Sequence, residues 1–171
     1  MFYIERNINS YHYYMDRIDF SATRKQEPVR HHPALPNSTR LIIIGPSGSG
    51  KTQILLNLIM RWLKWNTYLV ASSVDDQRCY EVLKDFNQNA KLLDEDKNDI
   101  IDFITDIDEA PSIDDLNGFI NNLVVYDDVM IDKQSNPAWI FSRGRHKNTD
   151  LIYVTQRYTQ IPNGIRDNCN I

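Results

Sequence analysis

Residues 41–52 read Leu-Ile-Ile-Ile-Gly-Pro-Ser-Gly-Ser-Gly-Lys-Thr. An apolar run typical of a buried strand passes into a glycine-rich turn, and an amphipathic segment of helical period follows. This is the order of elements around a phosphate-binding P-loop, or Walker A motif. Glycines let the chain bend so that successive backbone N–H groups converge on one point, which the positive end of the following helix also faces. The stretch therefore predicts a nucleoside triphosphate site.

The side chains at the end of this loop have separate expected roles. Lys51 supplies a mobile charge for the β- and γ-phosphate oxygens, and the Thr52 hydroxyl is placed to ligate Mg²⁺. The cradle for the phosphates is formed by Gly45, Pro46, Ser47, Gly48, Ser49 and Gly50. A glycine-rich turn that matches by coincidence is the alternative, and the strand before the loop and the helix after it argue against that alternative.

Length and composition set the outer limits of the interpretation. The 171 residues suffice for one domain with a sizeable core. No segment approaches the roughly 20 apolar residues of a membrane span. The N-terminus lacks a basic region followed by an apolar stretch, so we expect no secretion. The two cysteines, Cys79 and Cys169, match no metal spacing and predict free thiols in a reducing compartment.

Charge is unevenly spread along the chain. The net charge is −4, yet acidic residues crowd the middle of the sequence and basic residues dominate its C-terminal part. Such an asymmetry fits a protein with one polyanion-facing side and one solvated acidic side. It fits ordinary solvated surface equally well, so charge alone decides nothing.

The chain divides into an N-terminal extension over residues 1–39, with little periodicity, and one domain over residues 40–171. Strands are predicted at Arg40–Ile44, Thr67–Ala71, Leu123–Tyr126 and Leu151–Val154. Helices are predicted over Gln53–Trp65, from Asp75 or Asp76 to about Phe86, over Ala138–His146 and over Pro162–Asn168. The acidic stretch Asn87–Leu116 is predicted to be loop-like, with an apolar island at Ile100–Ile104. Strands that alternate with helices imply an α/β fold with a parallel sheet.

Two carboxylates follow the predicted strand Leu123–Tyr126. Ligands of parallel sheets bind at the carboxyl ends of the strands, where these residues would lie. Asp127 would hold Mg²⁺ through its water shell and through Thr52. Asp128 would orient or deprotonate an attacking water. The alternative is a pair of acids that starts a surface turn.

Gln156 follows the next predicted strand, Leu151–Val154. A polar side chain there could contact both the γ-phosphate and the water, and could report hydrolysis to the rest of the domain. A glutamine that merely ends a strand is the alternative.

The segment Ser142–Lys147, just before that strand, is strongly cationic. Arg145 or Arg143 could be an arginine finger offered to the nucleotide of a neighbouring subunit. The same side chains could contact DNA phosphates. They could also cap a helix, because basic residues favour a helix C-terminus and Gly144 can end it. The sequence leaves these three interpretations open.

Three stretches together resemble one family: Gly45–Thr52, Leu123–Asp128, and the run from Ser142 through Gln156 to Asn168. They resemble the poxvirus-type DNA-packaging ATPases of large DNA viruses, virophages and related elements, within the FtsK–HerA superfamily. The resemblance covers about residues 40–171. It implies a P-loop NTPase of ASCE type that uses ATP and Mg²⁺, with helices around a parallel sheet of order 5-1-4-3-2. In that order the sensor strand lies between the P-loop and Walker B strands.

The resemblance also implies a function. It implies an ATP-hydrolysing, DNA-stimulated motor that translocates viral double-stranded DNA into a preformed capsid. The expected partners are the DNA, capsid components and further copies of the chain in a ring, as a pentamer or hexamer. The expected location is the host cytoplasm, in a virus factory, or the virion.

Motif matching carries family roles onto single residues. Lys51 and Thr52 become the phosphate and Mg²⁺ ligands, Asp127 the Walker B acid and Gln156 the sensor. Asp128 stands where the superfamily often has Glu. Arg143 and Arg145 both lie in the region that matches the trans-acting finger. Arg145 is preferred narrowly.

The resemblance places a fifth strand beyond Ile171, beside the P-loop strand. An uncovered edge on that strand would be costly. We therefore expect either that the sequence is a fragment or that the N-terminal extension fills the gap.

Two other functions stay open. A P-loop nucleoside or nucleotide kinase would need a lid, which the Arg143–Lys147 cluster could imitate. A non-hydrolysing nucleotide-binding assembly module is the second. Against the kinase, the Asp127–Asp128 pair and Gln156 suit activation of water better.

Overall fold

Strands and helices alternate along the chain in the computed structural model, which describes residues 35–36, 38–62, 67–75, 77–93, 98–129 and 135–171. The strands are β1 (Arg40–Ile44), β2 (Thr67–Val70), β3 (Ile101–Ile104), β4 (Asn122–Asp127) and β5 (Thr149–Thr155). The helices are α1 (Lys51–Trp62), α2 (Arg78–Leu93), α3 (Ser135–Arg143) and α4 (Asn163–Arg166). The extension predicted over residues 1–39 lies almost wholly outside the described residues, as do Asp76 and the predicted end of the first helix at Trp65.

The five strands form one sheet in the order β1-β5-β4-β2-β3, and every neighbouring pair is parallel. The predicted α/β fold with a parallel sheet is confirmed. The central part of the predicted order is confirmed as well, because β5 lies between the P-loop strand β1 and β4. Thr155 stands beside Ile44 and Val154 beside Asp127, so three strands end next to one another.

Helices cover both faces of the sheet. Alternate residues of β4 point to opposite sides: Val125 packs with Leu55 and Leu83 of α1 and α2, whereas Val124 packs with Phe141 of α3. A sheet buried on both faces explains the nearly unbroken apolar runs of β4 and β5. In the described part of the chain, no helix has the length and apolar character needed to cross a membrane.

The prediction of a loop-like stretch over Asn87–Leu116 is wrong in two places. Helix α2 continues to Leu93, and the apolar island forms β3 at the edge of the sheet. The buried side chain of Asn87 joins α2 to the start of β3. Its amide nitrogen donates to the Ile101 carbonyl at 3.1 Å, and its oxygen accepts from the Ile100 and Ile101 N–H groups at 2.9 and 3.0 Å.

The outer edge of β1 is where the resemblance puts a fifth strand. Among the described residues no regular strand pairs with this edge. The Ile171 N–H donates to the Arg40 carbonyl at 3.3 Å, and the Ile42 N–H donates to the Ile171 carbonyl at 3.1 Å. One residue thus bonds to two residues of β1 on either side of Leu41, as residues of parallel strands do.

Candidate functional site

The loop between β1 and α1 has the backbone shape that its glycines predict. Gly48 and Gly50 have φ angles of +75° and +85°, a region that side chains with a Cβ rarely adopt. Helix α1 begins at Lys51, directly after the loop. The positive end of the helix dipole therefore faces the loop.

Lys51 lies at the start of α1 and is half-buried. Its ammonium group donates to the Pro46 carbonyl at 3.0 Å. The side chain therefore folds back over the loop and holds its charge beside the backbone expected to cradle phosphates.

Thr52 and Asp127 meet although they are 75 residues apart in sequence. The Thr52 hydroxyl donates to Asp127 Oδ2 at 3.3 Å. Asp127 is the last residue of β4 and is only 4% exposed. The parallel topology causes this meeting, since β1 and β4 both end at the edge from which α1 starts.

A residue that the sequence analysis missed completes this cluster. The hydroxyl of Tyr80, in the first turn of α2, donates to the same Asp127 oxygen. Tyr80 is completely buried, and burial together with the charge of Asp127 raises its pKa. No sequence signal distinguishes Tyr80 from an ordinary core aromatic, because only the tertiary fold brings α2 to the end of β4.

Opposing effects act on the pKa of Asp127. Burial raises it above the usual range of an aspartate, while the hydrogen bonds from Tyr80 and Thr52 lower it. The neighbouring charge of Asp128 raises it and that of Lys51 lowers it, and the net result is a raised pKa. Burial disfavours the charged form of a carboxyl group, and donors to that form favour it.

Asp128 follows Asp127 at the end of β4 and contacts the residue after the neighbouring strand β5. It is exposed and has a φ of +51°, a left-handed conformation that aspartate tolerates better than most residues. The Gln156 amide nitrogen donates to Asp128 Oδ2 at 3.2 Å. Two predicted site residues from neighbouring strands are thus in contact.

The two arginines lie elsewhere. They occupy the connection between α3 and β5, at the edge where the strands begin. β5 has seven residues, so at about 3.3 Å per residue the two arginines lie roughly 20 Å from the end of this strand. The Arg143 guanidinium lies 3.8 Å from the centre of the Trp139 ring. Arg145 is exposed.

The segment around these arginines has helix-end geometry. α3 ends at Arg143, and a 3₁₀ turn over Gly144–Lys147 replaces the last part of the predicted helix. The left-handed residue that closes the turn is Asn148, whose N–H group bonds to the Arg145 carbonyl. The pKa of Arg40, at the start of β1, is lowered mainly by burial and secondly by the charge of Arg145.

The oxygen atoms of Thr52 and Asp127 suit a hard cation. In the described part of the chain no group of three or more His, Cys, Asp or Glu side chains is arranged to hold a metal ion. Mg²⁺ does not need such a cage, because it keeps several waters and takes oxygen ligands from substrate phosphates. The hydroxyl and the buried carboxylate therefore fit a Mg²⁺ ion that binds together with a nucleotide.

Comparisons with known proteins identify a family for the chain. Residues 30–170 match the family model described as "Poxvirus A32 protein". No curated protein matches the chain. One similar solved structure is EssC (ATPases 2 and 3) from Geobacillus thermodenitrificans, with 12% sequence identity and a TM-score of 0.45. That similarity covers 77% of this chain and 30% of the EssC chain.

Proposed function

The chain belongs to the Poxvirus A32 protein family, and we propose that it is an ATP-hydrolysing motor that translocates viral double-stranded DNA into a preformed capsid. One observation carries the ATPase part of the proposal. The Thr52 hydroxyl at the P-loop donates to a buried aspartate at the end of β4. That pairing is the arrangement expected for Mg²⁺-nucleotide binding.

In this proposal the loop backbone over 45–50 and the Lys51 ammonium bind the phosphates of ATP. Thr52 and, through water, Asp127 hold Mg²⁺. When bound, the ion neutralises charge that develops on the phosphate oxygens. Asp127 is only 4% exposed, so little of its side chain contacts bulk water.

Asp128 and Gln156 would act on the attacking water. Both side chains are exposed and lie at the ends of the two strands next to each other in the sheet. We propose that Asp128 accepts a hydrogen bond or a proton from the water. The Gln156 amide, 3.2 Å from Asp128, would orient that carboxylate and contact the γ-phosphate.

The arginine finger would come from another copy of the chain. Arg143 and Arg145 lie at the far edge of the sheet from the P-loop of their own chain, so we propose that one of them acts in trans. Arg145 is preferred because it is exposed and, among the described residues, does not stack on an aromatic ring as Arg143 does. This requires a homo-oligomeric ring, a pentamer or hexamer, in which the finger stabilises charge in the transition state.

Further parts of the proposal concern organisation and location. Residues 40–171 would form the ATPase domain and residues 1–39 an extension. The motor would hold double-stranded DNA through phosphate contacts, so its binding would be salt-sensitive and tolerant of sequence. It would work with capsid components, in the host cytoplasm at a virus factory or on the virion.

The position of the cationic segment disfavours a kinase. A kinase would need the Arg143–Lys147 segment as a lid over the P-loop. In the described chain this segment lies beside the beginnings of the strands rather than their ends.

The test is ATP turnover with and without double-stranded DNA across a salt series. We expect turnover that rises with DNA at low salt and loses this stimulation at high salt. Phosphate that appears on a nucleoside acceptor would contradict the motor and support a kinase. Nucleotide binding without turnover would support the assembly module.

Lys51→Ala tests the site itself. We expect turnover to fall below detection, at least about 100-fold, because a charge that stabilises the transition state is lost. Lys84→Ala is the matched control, since Lys84 is a partly exposed lysine paired with Asp75 at 2.6 Å. Such surface pairs contribute little, so the control should keep its turnover. Equal turnover in both variants would remove the P-loop from the mechanism.

A further inference from the structure

We propose that Tyr80 is a positioning residue for the metal site, and that its hydroxyl fixes the Asp127 carboxylate in the orientation that Mg²⁺ binding requires. This inference rests on the proposed function. It concerns a side chain on α2, an element that carries none of the motifs in the sequence.

The geometry of the donors is the first support. Asp127 Oδ2 accepts from two hydroxyls, those of Thr52 and Tyr80. In the described part of the chain, no hydrogen bond reaches the other carboxylate oxygen, Oδ1. The two donors therefore fix one oxygen and leave Oδ1 as an acceptor for the water shell of a metal ion.

The anchoring of Tyr80 is the second support. Its ring is completely buried with Leu55 and Ile59 of α1 and Leu83 of α2. The Tyr80 N–H group also donates to the Gln77 carbonyl at 3.0 Å, at the start of α2. The hydroxyl position is thus set by the core and does not depend on a mobile side chain.

The difference between the two donors is the third support. Thr52 is expected to bind Mg²⁺ through a lone pair of its hydroxyl oxygen while the hydroxyl hydrogen stays on Asp127. The position of this hydroxyl therefore depends on the ion as well as on the carboxylate. The Tyr80 hydroxyl is not an expected Mg²⁺ ligand, so it can keep its bond to Asp127 both before and after the ion binds. Groups that orient a metal ligand in this way typically contribute about 10- to 100-fold to metal affinity or activity.

A second tyrosine provides a matched control on the neighbouring residue. Tyr126 precedes Asp127 on β4, is also completely buried, and faces the opposite side of the sheet. Its hydroxyl has no hydrogen-bond partner among the described residues. Tyr80→Phe and Tyr126→Phe therefore each remove one buried hydroxyl, and only the first removes a donor to Asp127.

The experiment titrates the full chain with MgCl₂ in the presence of a fluorescent ATP analogue, and repeats the binding in EDTA. We expect Tyr80→Phe to raise the half-saturating Mg²⁺ concentration about 10-fold or more. Binding of the analogue in EDTA should stay unchanged, since the phosphate cradle is untouched. Tyr126→Phe should match the unmodified protein in both measurements.

Each outcome has a defined meaning. A Mg²⁺ half-saturation in Tyr80→Phe equal to that of the unmodified protein would overturn the inference alone. A Tyr80→Phe protein that no longer folds, by circular dichroism, would also overturn it, because the hydroxyl would then serve stability. An unmodified protein that binds no ATP analogue would overturn the proposed function, and the inference with it.

Discussion

The parallel strands all end on one side of the sheet, here called the carboxyl edge, and all begin on the opposite side, the amino edge. These two edges carry different polar groups. At the edge where strands end, carboxylates, hydroxyls and one carboxamide contact each other: Thr52, Tyr80, Asp127, Asp128 and Gln156. At the edge where strands begin, asparagine amides hold the turns and arginines lie on the surface: Asn87, Asn122, Asn148, Arg143 and Arg145.

The contacts of the functional side chains differ between the two edges. The polar side chains at the carboxyl edge bond to one another and to the P-loop helix. In the described part of the chain, neither Arg143 nor Arg145 forms an ion pair with a carboxylate. We infer that the carboxyl edge holds a site assembled by this chain, and that the amino edge presents cations to a neighbouring subunit or to DNA.

The largest expected effect is a loss of turnover when an arginine of the amino edge is removed. Arg145→Ala should reduce DNA-stimulated turnover about 1,000-fold, the scale of a lost arginine finger. Nucleotide binding should persist, because this arginine lies far from the P-loop of its own chain. Turnover and equilibrium binding of a fluorescent ATP analogue measure the two effects separately.

Mixed rings sharpen this result. Arg145→Ala chains keep an intact P-loop, and Lys51→Ala chains keep an intact finger, so mixing two inactive proteins should restore turnover. Lys91→Ala is the control, since Lys91 is another partly exposed cation and pairs with Asp99 at 2.7 Å. Unchanged turnover in Arg145→Ala would remove this finger assignment, and loss only in Arg143→Ala would transfer it.

The second prediction concerns the carboxyl edge, where function and stability should oppose each other. Asp127→Asn should reduce turnover about 100-fold, because the charge that holds the metal is lost. The same change should raise the free energy of unfolding at neutral pH without nucleotide. Burial makes the charged carboxylate costly in the folded state, and an asparagine oxygen can still accept from Thr52 and Tyr80.

The pH dependence has a defined sign. The pKa of Asp127 is raised in the folded protein, so the folded state binds its proton more tightly than the unfolded state does. Stability from this group is therefore greatest below the unfolded pKa and falls as pH rises through the folded pKa. Urea unfolding from pH 4 to 8 measures it. The Asp127→Asn advantage should grow with pH, and an advantage independent of pH would contradict the assignment.

The carboxyl edge could be predicted from sequence because its motifs are local. A few consecutive residues are enough to predict a phosphate site at Gly45–Thr52 and a metal ligand in the acids after Leu123–Tyr126. The parallel α/β pattern then requires that strand ends meet. The contact between Gln156 and Asp128 follows from the same topology.

Tyr80 and β3 could not be predicted, for one physical reason. Their environments are set by contacts between elements distant in sequence, and neither residue type nor periodicity reports such contacts. The Tyr80 hydroxyl finds Asp127 only when α2 packs against β4. Ile101–Ile104 pairs with β2, and Asn87 of α2 bonds the backbone of its first residue.

The smallest expected effect separates the asparagines of the amino edge from its arginines. Asn87→Ala should lower the free energy of unfolding by about 2 to 3 kcal/mol, because the N–H groups of Ile100 and Ile101 and the Ile101 carbonyl lose a partner. Gln88→Ala, at an exposed site on α2, is the control and should change it little. Chemical denaturation measures both. Turnover per folded molecule should stay near normal in Asn87→Ala, since β3 is the strand farthest from β1. A large loss of turnover in fully folded protein would show that the amino edge contributes to catalysis through more than its arginines.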